Sequence, residues 1–409
     1  MRNGGGARRT VAALGALVLA ASTLAIWASS PAGATTVNDE TGFRTAWTND
    51  ATTSIDLGAD ITLTCGGGGS AVRSVTAGPL TLDGHGHTIT QTCANNQVLL
   101  VNGTATTSFA NVTITGGQAD VGGGGGIKSH GTLTLTNTVV TGNQSLGTGG
   151  GISALAVAAS VSLTNSTVTN DSSTGGGGGI ETAGSATLAN STVSGNRSTA
   201  GGAGISAVAG VTLTGSTVSG NTALTGAGGI ASASVTATNS TISGNTADAA
   251  GGGGITTGTA TLVYATLTQN SSSTGANLVA TVLTSFGSVL ALPAGGGTNC
   301  VVTTPTSNGF NFSDDTSCGL ATSTDRQSGN PTLGALGNNG GPTATQLPGT
   351  GSPLIDAITG SSCQADGAAG VTTDQRGVTR PQGPGCDIGA VEVQVLAPTP
   401  IVVAPAFTG

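Results

Sequence analysis

Two acidic residues in the middle of the chain are the best candidates there for acid–base chemistry. Charged residues are sparse between residues 103 and 280, and Asp171 and Glu181 flank one glycine run. Paired carboxylates at a fixed separation are what glycoside hydrolysis needs, and a polysaccharide lyase needs acids that hold calcium together with a base. No close acidic doublet occurs in this region. We therefore predict no catalytic set and retain Asp171 and Glu181 as the candidates for one.

A second group of charged residues lies near the C terminus. Its members either bind a cation or ligand, or form an internal ion-pair network that holds a cap in place. Arginines interspersed with acids favour the internal network, so we predict a structural role. The group comprises Asp356, Asp374, Arg376, Arg380, Asp387 and Glu392.

Histidine and cysteine give no sign of a metal centre. The motif Gly84-His85-Gly86 is similar to the Gly-His-Gly of polygalacturonases, but the other motifs of those enzymes are missing. An Asp-Gly turn between strands explains it locally. Without Cys-x-x-Cys or clustered Cys/His spacing we predict no metal and no cofactor.

Six cysteines are typical of an exported protein in an oxidising setting. Pairing nearest neighbours would clip one loop near the start of the chain and two near its end, but fifteen connectivities remain open. The candidates for disulfides are Cys65, Cys93, Cys300, Cys318, Cys363 and Cys386.

A repeat of about 25 residues must position these groups. Its isoleucines are Ile127, Ile152, Ile180, Ile205, Ile230 and Ile255. Aligned on their last asparagines (Asn143, Asn170, Asn196, Asn221, Asn245, Asn270), the copies show a leucine column and a valine column as well, with an offset of one residue in the second copy, where a glycine is missing. A fixed period of this size indicates a solenoid, and three apolar columns predict three short strands per coil. Asn137, Asn165, Asn190 and Asn239 form a further column that suits left-handed turns.

These repeats resemble right-handed parallel β-helix proteins of the pectin-lyase-like type, over about residues 53–287. The resemblance implies an all-β solenoid of about 25 residues per coil. A short amphipathic helix over residues 40–47, with Phe43 and Trp47 on one face, would cap its N-terminal end. The motifs Gly351-Ser-Pro-Leu-Ile-Asp356 and Cys386-Asp-Ile-Gly-Ala-Val-Glu392 resemble the choice-of-anchor Q domain, which implies an irregular, disulfide-bearing C-terminal cap of unassigned role.

The ends of the chain indicate export. Residues 1–34 have the basic start, apolar stretch and small-residue site of a signal peptide. Its removal with Arg2, Arg8 and Arg9 would leave seven basic and eighteen acidic residues, a net charge of −11. That charge disfavours nucleic acid as a partner. We divide the remainder into an N-terminal cap with irregular coils (35–100), regular repeats (101–285), the C-terminal domain (286–393) and a Pro-rich tail (394–409) without an anchor or a stable membrane span.

We predict a secreted or loosely surface-associated monomer that acts as a non-catalytic structural and interaction module. Its partner would be envelope material, an extracellular polymer or a surface protein. One alternative is a polysaccharide lyase or glycoside hydrolase, although Phe109 and Tyr264 are the only aromatic residues of the repeat region for sugar stacking. A second alternative is binding of ice or another flat lattice by a threonine row, for which the candidates are Thr134, Thr164, Thr187, Thr212, Thr236 and Thr261.

Overall fold

The computed structural model describes residues 33–394 except 75, 250 and 366. The predicted export signal (1–34) and tail (394–409) therefore lie almost entirely outside the described residues. Within the described residues the chain is an all-β parallel solenoid with one α-helix, Glu40–Thr48, and one short 3-10 helix, Gly360–Ser362. The fold class predicted from the repeat is confirmed.

Each coil adds strands to parallel sheets that run along the solenoid, with neighbouring coils about 4.8 Å apart. Sheet A contains Thr35–Val37, Ser54–Leu57, Ala71–Arg73, Leu80–Asp83, Leu99–Val101, Thr107–Ala110, Ile127–Ser129, Leu133–Thr136, Ile152–Ala154, Val161–Thr164, Ile180–Thr182, Ser185–Ala189, Ile205–Ala207, Gly210–Thr214, Ile230–Thr238, Ile255–Val263, Gly275–Phe286 and Thr298–Ser307. Sheet B contains Ile61–Leu63, Thr88–Gln91, Thr113–Thr115, Val139–Thr141, Thr167–Thr169, Thr192–Ser194, Thr217–Ser219, Thr241–Ser243, Thr266–Thr268, Val289–Ala291 and Phe312–Ser313. Sheet C contains Gln118–Ala119, Gln144–Ser145, Ser172–Ser173, Arg197–Ser198, Thr222–Ala223 and Thr246–Ala247.

The strand register confirms the three apolar columns of the repeat. Ile127 pairs with Ile152 in sheet A, and the same column continues to Ile255. The leucine and valine columns pair in the same way, one in sheet A and one in sheet B. These side chains are fully buried, and burial of each one contributes about 1.5–3 kcal/mol.

Sheet C is a fourth short strand per coil, where the repeat predicts three. The inward residue of each sheet C strand is small, as Ala119, Ser145 and Ser173 show. Because such residues form no apolar column, periodicity alone does not reveal this strand.

The asparagine column of the turns has the left-handed geometry that we expect. The backbone φ is 48° at Asn137, 50° at Asn165 and Asn190, and 45° at Asn239. The serine that follows several of these asparagines points inward. Ser191 Oγ, for example, accepts a hydrogen bond from the backbone N of Ser166 one coil away. The Asn-Ser-Thr triplets of the repeat thus form the turns and supply hydrogen bonds between neighbouring coils.

We expect the left-handed geometry to decide which residues are tolerated in this column. Asn165→Ala should lower the free energy of unfolding by roughly 1–2 kcal/mol, because a Cβ without a local polar group disfavours positive φ. Asn165→Gly should change it by less than about 0.5 kcal/mol. Denaturant unfolding of both variants measures the difference. Equal losses in the two variants would show that the asparagine side chain, and not the backbone conformation, is what matters.

The sequence alignment is wrong by one residue in the second copy. Asn170 has φ 57° and takes the left-handed place that Gly142 and Gly195 take in neighbouring coils. Asp171 therefore occupies the position of Asn143 and Asn196. The copies align again once Asn170 is recognised as the substitute for the missing glycine.

The N-terminal end of the solenoid is closed by the predicted helix. Asp39 Oδ1 caps the helix by accepting a hydrogen bond from Gly42 N at 2.7 Å. Phe43 and Trp47 are completely buried and stack on each other, and Trp47 stacks in turn on Phe109 of the coils.

The parallel stack extends past residue 285, although the glycine–isoleucine repeat is lost there. Strands Val289–Ala291 and Thr298–Ser307 continue sheets B and A. The described residues after 313 fold back over the coils and include the antiparallel strand pair Ile358–Thr359 with Gly385–Cys386. Each cysteine is bonded to its neighbour in sequence: Cys65–Cys93, Cys300–Cys318 and Cys363–Cys386.

Candidate functional site

A row of buried asparagine side chains runs inside the solenoid and contains one aspartate. Asn196 Nδ2 donates to Asn221 Oδ1 at 2.9 Å and to the backbone O of Val168 at 3.1 Å. The backbone N of Asn196 also donates to Asn221 Oδ1, at 3.0 Å. We call this row the asparagine ladder. Its members are Asn143, Asp171, Asn196, Asn221, Asn245, Asn270, Asn277 and Asn299.

Asp171 has one carboxylate oxygen satisfied and one without a partner. Oδ1 accepts hydrogen bonds from the backbone N of Asn143 at 2.8 Å and from Asn143 Nδ2 at 3.0 Å. Oδ2 is buried without a hydrogen-bond partner and lies against Gly151, the glycine before the repeat isoleucine. In the adjacent coil, Nδ2 of Asn196 lies against the equivalent Gly179. An oxygen therefore stands where the other coils have an N–H donor.

Burial raises the pKa of Asp171 to about 7, and the two hydrogen bonds from Asn143 only partly oppose this. A carboxyl group that keeps its proton can donate a hydrogen bond, as asparagine does, whereas an ionised carboxylate cannot. Asp171 is 1% exposed, so it lies beyond the reach of a polymeric substrate on the surface.

Glu181 occupies a different environment from Asp171. It is half-buried on sheet A, in register with Ser153 and Ser206 of the adjacent coils, and Lys128 lies two coils away. Burial raises the pKa of Glu181 to about 7, a hydrogen bond with Ser206 opposes this, and Oε2 is buried without a hydrogen-bond partner. In the described part of the chain no hydrogen bond joins Glu181 to Asp171. The structure thus does not bring the two acids together as a pair.

The histidines near the N-terminal end lie in the turn that we expect. The backbone N of His85 donates to Asp83 Oδ1 at 2.9 Å. His85 Nε2 lies 3.7 Å from Asp56 Oδ1, and His87 Nδ1 lies 3.1 Å from Asp60 Oδ1. Among the residues that the structure describes, no group of three histidine, cysteine or acidic side chains is placed to hold a metal ion.

The C-terminal charged residues form one connected group against the outer surface of the coils. Arg380 forms a completely buried salt bridge with Glu392, at 2.9 Å between Nη1 and Oε2, and its guanidinium carbon lies 4.1 Å above the ring of Tyr264. Arg376 forms a salt bridge with Asp374 at 2.8 Å.

The remaining acids of this group accept hydrogen bonds from the backbone. Asp387 Oδ1 accepts from the N of Asp356 at 2.7 Å, and Asp356 Oδ1 accepts from the N of Gly385 at 3.2 Å. Burial raises the pKa of Asp387 to about 6, and burial also lowers the pKa of Arg380. These contacts hold the C-terminal segment, the described residues between 314 and 394, together and leave Arg380 and Glu392 without access to solvent.

The C-terminal segment covers two rows of hydroxyl groups on sheet B. Thr217 Oγ1 donates to the backbone O of Ala344, and Thr241 Oγ1 donates to Gln375 Oε1, both at 2.7 Å. Gln375 Nε2 donates to Thr217 Oγ1 at 2.9 Å. Two further contacts follow the same rows: Ala390 N donates to Thr266 Oγ1 at 3.0 Å, and Thr268 Oγ1 donates to Gln346 Oε1. Sequence reasoning missed this contact surface because its partners lie 78 to 158 residues apart.

The threonine row proposed on sheet A is also shifted in one coil. Thr134 pairs with Ser162 and not with Thr164, which pairs with Thr136. The row then continues through Thr187, Thr212, Thr236 and Thr261. The prediction that placed Thr164 in this row is wrong by two residues, because Ser162 holds the place before Leu163 and Thr164 follows that leucine.

Two family models match the chain. The model of a pectate lyase-like adhesive domain matches residues 34–147, and the model of a right-handed β-helix region matches residues 96–272. No curated protein and no solved structure matches the chain. No helix within the described ranges is long and apolar enough to cross a membrane.

Proposed function

We propose that this right-handed β-helix is an extracellular adhesive module that binds envelope or matrix material without catalysing a reaction. The observation that carries the proposal is that hydroxyl groups recur in register from coil to coil on sheets A and B. Repeated weak contacts of this kind add up on a polymer or a surface. The match of residues 34–147 to an adhesive domain family and the three disulfides support the same proposal.

The placement of the acids supports the non-catalytic reading. Asp171 lies inside the coil and Glu181 on sheet A, so the pair offered by the sequence does not share a cleft. Serine interrupts the sheet A row that suggested ice binding, which disfavours that alternative.

We also propose that residues 286–393 form a choice-of-anchor Q-like domain and that residues 1–34 direct export. The proposals rest on the ordered motifs around Asp356 and Cys386 and on the basic and apolar pattern of the N terminus. Attachment to the coils through buried Arg380 and Glu392 is compatible with such a cap.

Binding of the whole protein to envelope material tests the adhesive function. Labelled protein, incubated with cell envelopes or insoluble matrix and sedimented, should be retained saturably. The strands of sheet B contain no charged residue and those of sheet A carry few, so raising NaCl from about 50 to 500 mM should change retention less than about twofold. Chain that has been reduced and unfolded is the control and should not be retained. Failure to bind either material would contradict the proposal, and release of products from pectate or alginate would favour the lyase alternative instead.

A further inference from the structure

The two hydroxyl rows of sheet B continue beyond the C-terminal segment that covers part of them. Where they are covered, Thr217, Thr241 and Thr268 are completely buried. In the four preceding coils the corresponding side chains are only half-buried. We call these outward residues the open threonine face: Thr113, Thr115, Val139, Thr141, Thr167, Thr169, Thr192 and Ser194.

The hydroxyls of the open threonine face are largely free to bind. Thr169 Oγ1 and Ser194 share a hydrogen bond within the face. In the described part of the chain, the hydroxyls of Thr113, Thr141, Thr167 and Thr192 have no hydrogen-bond partner. By contrast, Thr217, Thr241, Thr266 and Thr268 each have one from the C-terminal segment.

The covering segment shows which chemistry these rows accept. Its contacting groups are the side-chain amides of Gln375 and Gln346, the backbone O of Ala344 and the backbone N of Ala390. An amide matches a threonine row because it both accepts and donates hydrogen bonds, as Gln375 does with Thr241 and Thr217.

From this continuity, and resting on the adhesive function proposed above, we infer that the open threonine face binds an extended, uncharged polypeptide segment that bears side-chain amides. The face contains no charged residue, so it has no ion pair to offer an acidic or basic ligand. It also contains no aromatic ring on which a sugar would stack, which favours a polypeptide over a glycan. The strand register places hydroxyls about 4.8 Å apart along each row and about 7 Å apart between rows, spacings that an extended chain can follow.

A peptide copied from the covering segment is a suitable probe. Residues 341–348 (Gly-Pro-Thr-Ala-Thr-Gln-Leu-Pro) supply Ala344 and Gln346 to the covered rows. The biotinylated peptide, immobilised densely on a sensor so that weak contacts add, is exposed to the full-length protein. The test variant carries Thr167→Val, Thr169→Val and Thr192→Val, which remove hydroxyls with little change of shape. The matched control carries Thr134→Val, Thr187→Val and Thr212→Val on sheet A.

We expect the sheet B variant to bind the peptide at least tenfold more weakly, and the sheet A control to bind within twofold of the unmodified protein. Circular dichroism and the thermal midpoint confirm that both variants are folded. Equal binding by the two variants would overturn the inference. So would binding of N-acetylated or uronic glycans, in place of the peptide, through the same three threonines. If the sheet B variant binds the peptide as the unmodified protein does and also sediments with envelopes, the adhesive function stands and this inference fails. If the unmodified protein binds neither envelopes nor peptide, both fail.

Discussion

Replacing Asp171 by asparagine is expected to stabilise the protein at pH 8 by about 2–4 kcal/mol. The carboxylate lies in the asparagine ladder with Oδ2 at the place of an amide donor and without a hydrogen-bond partner. In the other coils this donor serves a backbone carbonyl of the preceding coil, as Asn196 serves Val168. The corresponding carbonyl for Asp171 is that of Val140 in the sheet B register. Asparagine would restore the donor and remove a buried charge.

The same substitution should change how stability depends on pH. In the unfolded chain Asp171 loses its proton near its ordinary pKa of 3.8, whereas in the folded protein burial raises the pKa to about 7. The contribution of the protonated Asp171 side chain to the free energy of unfolding is therefore fully present below about pH 4. It is lost as pH rises to about 7, and the loss is roughly 4 kcal/mol at most. Asp171→Asn should remove this part of the decline. A smaller decline should remain, because the pKa of Glu181 is also raised to about 7 and that of Asp387 to about 6.

Chemical denaturation at pH 4.5 and pH 8 measures both effects. Asp248→Asn is the control, because Asp248 is exposed at the surface of a coil and its substitution removes the same charge. The control should stay within about 0.5 kcal/mol of the unmodified protein. If Asp171→Asn left stability unchanged at pH 8, Oδ2 would have to be satisfied by a partner, and Asp171 would not be the weak place of the asparagine ladder.

Asp171 also shows where sequence reasoning stops. Spacing of Ile127, Leu135 and Val140 is enough to predict the coil and its core, because stacked identical residues leave a period in the sequence. In the sequence Asp171 looks like a candidate for catalysis. The one-residue offset of the second copy shows that a glycine is missing there, but not that Asn170 takes its place. Only the register of the strands places it in the ladder.

The covered part of sheet B could not be predicted for a different reason. The contacts of Gln375 with Thr217 and Thr241 join residues more than 130 positions apart and leave no period. The sequence identifies the C-terminal charges as a group, but their position against Tyr264 and the threonine rows follows from how the segment folds back.

The second large effect is expected for Arg380→Met. Loss of the Arg380 guanidinium would leave Glu392, which is 1% exposed, as a buried charge without its ion-pair partner. Removing one partner of such a pair costs about 3–5 kcal/mol. Two backbone carbonyls, those of Asp387 and Gly389, would lose their donors as well. We expect this loss to weaken the attachment of the C-terminal segment. The near-ultraviolet circular dichroism of Tyr264, the single tyrosine of the chain, reports on it directly.

Combining Arg380→Met with Glu392→Met separates the ion pair from the backbone contacts. The double variant has no unpaired charge, so its loss of stability should be about 2–3 kcal/mol less than the sum of the two single losses. It should still be less stable than the unmodified protein, because Glu392 also accepts hydrogen bonds from the backbone N of Gln382 and of Asp387. Strict additivity in this cycle would mean that the two side chains act independently.

Release of the C-terminal segment by either single substitution would also expose Thr217 and Thr241. The hydroxyl rows that become exposed continue the open threonine face. Both single variants should therefore bind more of the peptide of residues 341–348 than the unmodified protein does.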